Sequence, residues 1–297
     1  MKKIDKEKIK TWFVTGASSG VGNKICLELL KRGYNVIAVS RRVPNIEHEN
    51  VLCLSVDVTK PETIQEAINK GIERFGRIDV LSNNAGISSV ITCEEETLEH
   101  MKNVMETNFF GTFNTINTIL PYFRKNSNGT IINNTSMHGL SIRYGGSAYC
   151  SSKFAIEGLS GVCKLECQNF CRFMSFELGV FAQTDVANNA KIIATKVEEY
   201  KHIPSYTKKI YNNFINQLDI AIPIIIDQVE QEKLPRRLIL GKDAYIKVKS
   251  EIEYLKKDLK ASKRRALKCA KFNKEFPKKV FKKIVNYIKE NTWNSKN

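Results

Sequence analysis

The chain has 297 residues, 42% hydrophobic and 26% charged, enough to bury a full-sized α/β core. No apolar run approaches the ~20 residues needed to span a bilayer, and no nucleic-acid recognition motif accompanies the formal charge of +16. That charge is uneven: residues 263–297 hold twelve lysines and arginines against Glu275 and Glu290, a net of +10, so the body carries about +6.

Thr11-Trp12-Phe13-Val14-Thr15 reads as a short buried strand ending in Gly16-Ala17-Ser18-Ser19-Gly20-Val21-Gly22. Helical spacing through Ile25, Leu29 and Leu30 follows at once and stops at Gly33. Strand, glycine loop and helix together suit a pyrophosphate, because glycine lets the backbone approach and the helix start offers free N–H groups and positive potential. The second strand, 35–39, runs into Ser40-Arg41-Arg42. An acidic residue at this strand end suits a free ribose 2′-hydroxyl, whereas arginine suits a 2′-phosphate. Arg41 and Arg42 therefore favour NADP(H) over NAD(H).

A third strand, 51–56, leads to Asp57 and Val58, further candidate cofactor contacts. Thr59 and Glu62 read as a capping box for a helix running to Phe75, with Gly76 as its C-cap. A fourth strand, 78–82, ends in Asn83-Asn84-Ala85-Gly86. The helical stretch 97–126 is expected to break near Asn108 and Gly111 and again at Pro121. Strands at 130–135 and 172–176 enclose a helix from about Tyr149 to Phe170, and Arg237-Leu238-Ile239-Leu240-Gly241 reads as the last strand. Strands alternating with helices imply a doubly wound parallel sheet of Rossmann type. Ligands in such sheets bind at the carboxyl ends of the strands, where every motif above falls.

The chemistry is expected between Ser136 and Lys153. Tyr149 and Lys153 are four apart and share a helix face, and a loop containing Gly139, Gly145 and Gly146 can fold Ser136 back onto them. A second Tyr-x-x-x-Lys, Tyr245 to Lys249, stands in a charged surface helix without such company. His138 is expected at the rim. The run Cys163, Cys167, Cys171 has no histidine at a metal-site spacing, so no metal is expected. Cys26, Cys53, Cys93 and Cys150 read as small buried hydrophobes rather than a disulfide framework.

These motifs resemble the short-chain dehydrogenase/reductase family over about residues 11–185. Gly16 to Gly22 is similar to its cofactor loop, Asn83 to Gly86 to its sheet-stabilising motif, and Asn108, Ser136, Tyr149 and Lys153 to its catalytic tetrad. The resemblance implies a single-domain Rossmann-type oxidoreductase, a homodimer or homotetramer, interconverting a carbonyl and an alcohol with a nicotinamide cofactor. It implies that Lys153 also holds the cofactor ribose, that Asn108 anchors a water, and that Ser18, Ser19, Asn84, Ala85 and Gly86 border the cofactor. Three departures stand out: Leu178 replaces a proline after the sixth strand, Thr184 falls one residue late for the nicotinamide carboxamide, and Ser19 stands where NADP-using relatives often carry a basic residue.

The expected organisation is an N-terminal extension 1–10, a catalytic domain 11–242 with a substrate lid at 185–226, and a basic helical extension 243–297. Within the lid, two helical pieces are expected, split at Pro204, and their Ile, Tyr, Phe and Lys content suggests an apolar or mixed substrate. The N-terminus lacks the apolar core of a secretory signal, pointing to the cytoplasm. From Pro277, the residues Val280, Phe281, Ile284, Val285 and Ile288 line one face of a lysine-rich helix. That face suits its own domain, a sister subunit or an anionic membrane surface. Two other functions fit parts of the chain: a catalytically silent nucleotide-binding regulator, and a peripheral membrane or scaffold protein acting through the tail.

Overall fold

The structure, a computed structural model, describes residues 10–181, 191–192, 195–203 and 216–268, with positions 282, 283 and 286. Seven strands form one parallel sheet: β1 (Thr11–Thr15), β2 (Asn35–Ser40), β3 (Val51–Ser55), β4 (Val80–Asn83), β6 (Thr130–Asn134), β7 (Arg172–Leu178) and β9 (Arg237–Leu240). Their order is β3-β2-β1-β4-β6-β7-β9. The chain therefore winds outward one way from β1 and the other way from β4, leaving a crevice where the direction reverses. A second, two-stranded sheet pairs β5 (Ser89–Val90) with β8 (Lys191–Ile192).

Alternation along the strands builds two cores. Trp12, Val14, Val36 and Ala38 pack with α1 (Gly20–Lys31) and α6 (Leu218–Glu230). Phe13, Ile37, Val39 and Leu81 face the other way, onto α2 (Pro61–Phe75), α4 (Gly111–Asn126) and α5 (Ser147–Glu166). Each fully buried large apolar side chain contributes about 1.5–3 kcal/mol, and both faces of the sheet are covered, which a parallel sheet requires.

Gly76 caps α2 with φ +78° as expected, but the helix starts differently. Its N-cap is Lys60, with Pro61 at the first helical position. Thr59 lies one residue too early to cap; its N–H and hydroxyl bond Asp57 Oδ1 at 3.0 and 2.8 Å. Pro121 does not interrupt α4, which runs through it to Asn126. The helix α3 (Leu98–Met105) passes into α4 through one π turn, Glu106–Phe110, close to the expected break at Asn108 and Gly111.

Leu178 stays in register opposite Leu240, and the next N–H, of Gly179, donates to the Leu240 carbonyl at 2.9 Å. In the expected lid, residues 221–226 lie within α6, Glu198–Tyr200 form a short 3-10 turn, and much of the remainder, including Pro204, lies outside the described residues. Residues Met1–Val248 and Lys249–Asn297 are two compact units. The helix α7 (Lys242–Lys268) carries Tyr245, which is 60% exposed. The apolar tail face expected beyond Pro277 lies outside the described residues. Among the described residues, no helix is long and apolar enough to cross a membrane.

Candidate active site

The crevice beside β1 and β4 holds a cavity of about 810 Å³. Its wall includes Gly16, Ser18 to Gly22, Arg41, Arg42, Asp57, Val58 and Asn84 to Gly86, all expected cofactor contacts. Gly16 has φ +65°, and a Cβ there would sit 2.9 Å from the Ala85 nitrogen; one at Gly22 would sit 2.5 Å from the Gly16 carbonyl oxygen. Only glycine lets the loop, the start of α1 and the Asn84–Gly86 segment close up this far. The Thr15 hydroxyl locks the arrangement, accepting from the N–H groups of Asn84 and Ala85 at 2.9 and 3.1 Å.

A dinucleotide fits this wall on two counts. The first turn of α1 carries no acidic residue and its N-cap, Ser19, makes no side-chain capping bond, so its positive end is open to an anion. Asn84 Oδ1 is enclosed and has no partner, an acceptor awaiting a donor. Arg41 and Arg42 are exposed on the same wall. Burial alone would raise Asp57; the Thr59 N–H and hydroxyl, with the charges of Arg41 and Lys60, outweigh it and hold the carboxyl below its usual range.

Asn108 is fully buried in the π turn. Its Oδ1 accepts from the Ile87 N–H at 2.8 Å, and its Nδ2 donates to the Ile87 carbonyl and Ser152 Oγ, both at 3.0 Å. Ser136 follows β6 with φ +142° and ψ 156°, a region almost reserved for glycine. Its Oγ accepts from the His138 N–H at 3.2 Å.

The buried face of α5 carries Tyr149, Ser152, Lys153, Ile156, Glu157 and Ser160. Lys153 Nζ sits 5.7 Å from the centre of the Tyr149 ring and donates to the Asn134 carbonyl at 2.8 Å. Asn134 and Gly86 both line the cavity, and a Cβ on Gly86 would lie 3.8 Å from Lys153 Nζ. Burial lowers the Lys153 ammonium to about 8, with Glu157 acting the other way.

One turn beyond Lys153, Glu157 Oε2 accepts from Arg237 Nε at 2.7 Å, and Glu177 Oε1 lies 3.8 Å from the same nitrogen. Burial, then Glu157, pushes Glu177 well above the usual carboxylate range. Two enclosed carboxyls sharing one guanidinium cannot both be charged, so Glu177 keeps its proton at neutral pH.

Ser136 thus follows the carboxyl end of β6, Tyr149 and Lys153 share the buried face of α5, and Asn108 reaches that helix from the π turn through Ser152. Thr184 lies outside the described residues. His138 is not at the rim: it is buried, because the 3-10 turn Met137–Gly139 folds it inward. Cys93 is exposed rather than buried. Cys163, Cys167 and Cys171 are buried and free, and no cluster of potential metal ligands occurs among the described residues. Sequence spacing missed Arg143, Glu157, Glu177 and Arg237. Arg143 alone carried a signal, as a lone basic residue inside the glycine loop; the other three meet only where α5 packs over the paired strands β7 and β9.

The short chain dehydrogenase family model matches residues 10–211, and the chain belongs to that family. It is an oxidoreductase acting on CH–OH or carbonyl groups with a nicotinamide cofactor. Oxidoreductase BOA17 of Botryotinia fuckeliana is 29% identical over 249 residues, 79% of this chain and 90% of that protein. A 3-ketodihydrosphingosine reductase of Bacteroides thetaiotaomicron is 41% identical over 159 residues, 53% of this chain and 58% of that protein. A short-chain dehydrogenase structure from Streptomyces avermitilis superposes with a TM-score of 0.82 at 28% identity, covering 89% of this chain and 99% of that one.

Proposed function

We propose that this protein is an NADP(H)-dependent oxidoreductase in which Tyr149 is the general acid and base. The observation that carries this reading is the enclosed Lys153 ammonium, 5.7 Å from the Tyr149 ring and anchored on a carbonyl of the cavity wall. A nicotinamide cofactor, when bound, would supply or accept hydride. The Gly16–Gly22 loop and the start of α1 would hold its pyrophosphate, and Arg41 and Arg42 its 2′-phosphate.

As charge develops on the substrate oxygen, Tyr149 hands over its proton and the Ser136 hydroxyl donates a hydrogen bond. A phenol with an ordinary pKa of about 10 is a weak base at neutral pH. Lys153 favours the phenolate by its charge, and Asn108 fixes the π turn beside it through Ser152 and Ile87.

Two variants test the reading. Tyr149→Phe is expected to bind NADPH within about twofold of the parent in a fluorescence titration and to lose turnover by at least a thousandfold; full activity would refute the proton-donor role. Arg41→Ala is expected to weaken NADPH at least tenfold, about 1.4 kcal/mol, with little change for NADH. Equal losses would refute the phosphate assignment.

A further inference from the structure

Arg143 stands in the loop between Ser136 and Tyr149. Its guanidinium carbon lies 5.4 Å from the centre of the Tyr149 ring. Nη2 donates to Ser88 Oγ at 3.2 Å and to the Ser89 carbonyl at 2.8 Å, and Ser88 lines the cavity. These two bonds tie the loop to β5, alongside the bridge between Ile91 and Gly146. A tether accounts for Nη2 only. Nε and Nη1 are shut off from solvent and have no hydrogen-bond partner.

Among the described residues no carboxylate pairs with Arg143. Contrast Arg237, which is held by Glu157 and Glu177. Arg143 is part-buried, and two of its nitrogens have neither water nor an acceptor; a carboxylate brought in by a ligand would supply one. A second unpartnered atom stands nearby: His138 Nδ1, two residues after Ser136, is enclosed and unbonded. Arg143 and His138 thus leave polar valences unfilled on the loop that carries Ser136 to Tyr149.

We infer that Arg143 is a substrate-specificity residue, binding a carboxylate carried close to the reacting carbonyl, so that the preferred substrates are oxo acids and the matching hydroxy acids. This rests on Tyr149 as the reacting centre. An apolar body on the substrate remains compatible, because Arg143 addresses only its acidic end.

The test pairs 2-, 3- and 4-oxo acids with their methyl esters, following NADPH absorbance. The parent enzyme is expected to favour one acid over its ester by at least tenfold in kcat/KM. Arg143→Gln should raise KM for that acid at least tenfold and leave the ester within twofold, and Arg143→Lys should recover part of the loss. A tether alone would lower acid and ester together. Independently of turnover, butanoate binding to the NADP-loaded protein is read by ligand-observed NMR, with methyl butanoate as the neutral control. Butanoate is expected to bind the parent and Tyr149→Phe but not Arg143→Gln. Loss of turnover on every carbonyl with Arg143-dependent butanoate binding intact would overturn the catalytic reading, and the substrate assignment with it, and leave Arg143 as a carboxylate-binding residue only. Absence of any Arg143-dependent preference for the acid in both assays would overturn this inference.

Discussion

His138 shows how far one enclosed side chain governs behaviour at low pH. Burial first, then the charges of Arg143 and Lys247, pushes its imidazole down from an ordinary 6.5 to about 3. The folded protein refuses a proton that the unfolded chain accepts. Its contribution to stability is therefore full above pH 6.5 and is lost as pH falls toward 3, at roughly 1.4 kcal/mol per pH unit. His138→Asn is expected to flatten the acid limb of the denaturation midpoint plotted against pH across that window. An unchanged limb would place acid sensitivity elsewhere. Lys153 carries the opposite charge state: held as a buried ammonium at neutral pH, it lowers stability there in return for its place beside Tyr149.

At the scale of elements, the π turn Glu106–Phe110 is the device that presents Asn108 to α5. One extra residue in the turn aims the amide at Ile87 and Ser152 rather than along the helix. Asn108→Ala leaves the Ile87 N–H and carbonyl without that amide, an expected cost on the order of 2 kcal/mol. A denaturation midpoint within error of the parent would contradict this. The sequence placed the break near Asn108 but not its nature, because π turns have no distinctive composition. The strands were legible for a plain reason: apolar runs such as Trp12–Val14 end abruptly at glycine or asparagine. Pro121 misled, since a proline inside a helix whose neighbours Ile119 and Phe123 are fully buried is held by packing. The Thr59–Glu62 spacing misled because Asp57 competes for the Thr59 hydroxyl. The β5–β8 pair was invisible, as two-residue strands carry no period.

At the scale of the whole molecule, α5 buries one face around Tyr149 and leaves Phe154, Val162 and Leu165 at 45%, 50% and 46% exposed along another. Phe113 on α4 is 39% exposed. We propose that this apolar face joins copies of the chain into a homo-oligomer. Phe154→Glu combined with Leu165→Glu is expected to shift the parent assembly to monomers in light scattering. A parent that is already monomeric at micromolar concentration would refute the proposal. The doubly wound parallel sheet was legible in the sequence because its motifs recur at each strand end. What a part-buried charge such as Arg237 faces was not, because its partners are eighty and sixty residues away in the chain.

The backbone at Ser136 has a consequence for anyone breeding this protein for heat resistance. Its φ of +142° is comfortable for glycine and uncomfortable for serine. A library screened on folding alone would enrich glycine at that position and return a sturdier molecule stripped of its hydroxyl. Selection on turnover must therefore accompany selection on stability, because the two pull this single codon in opposite directions.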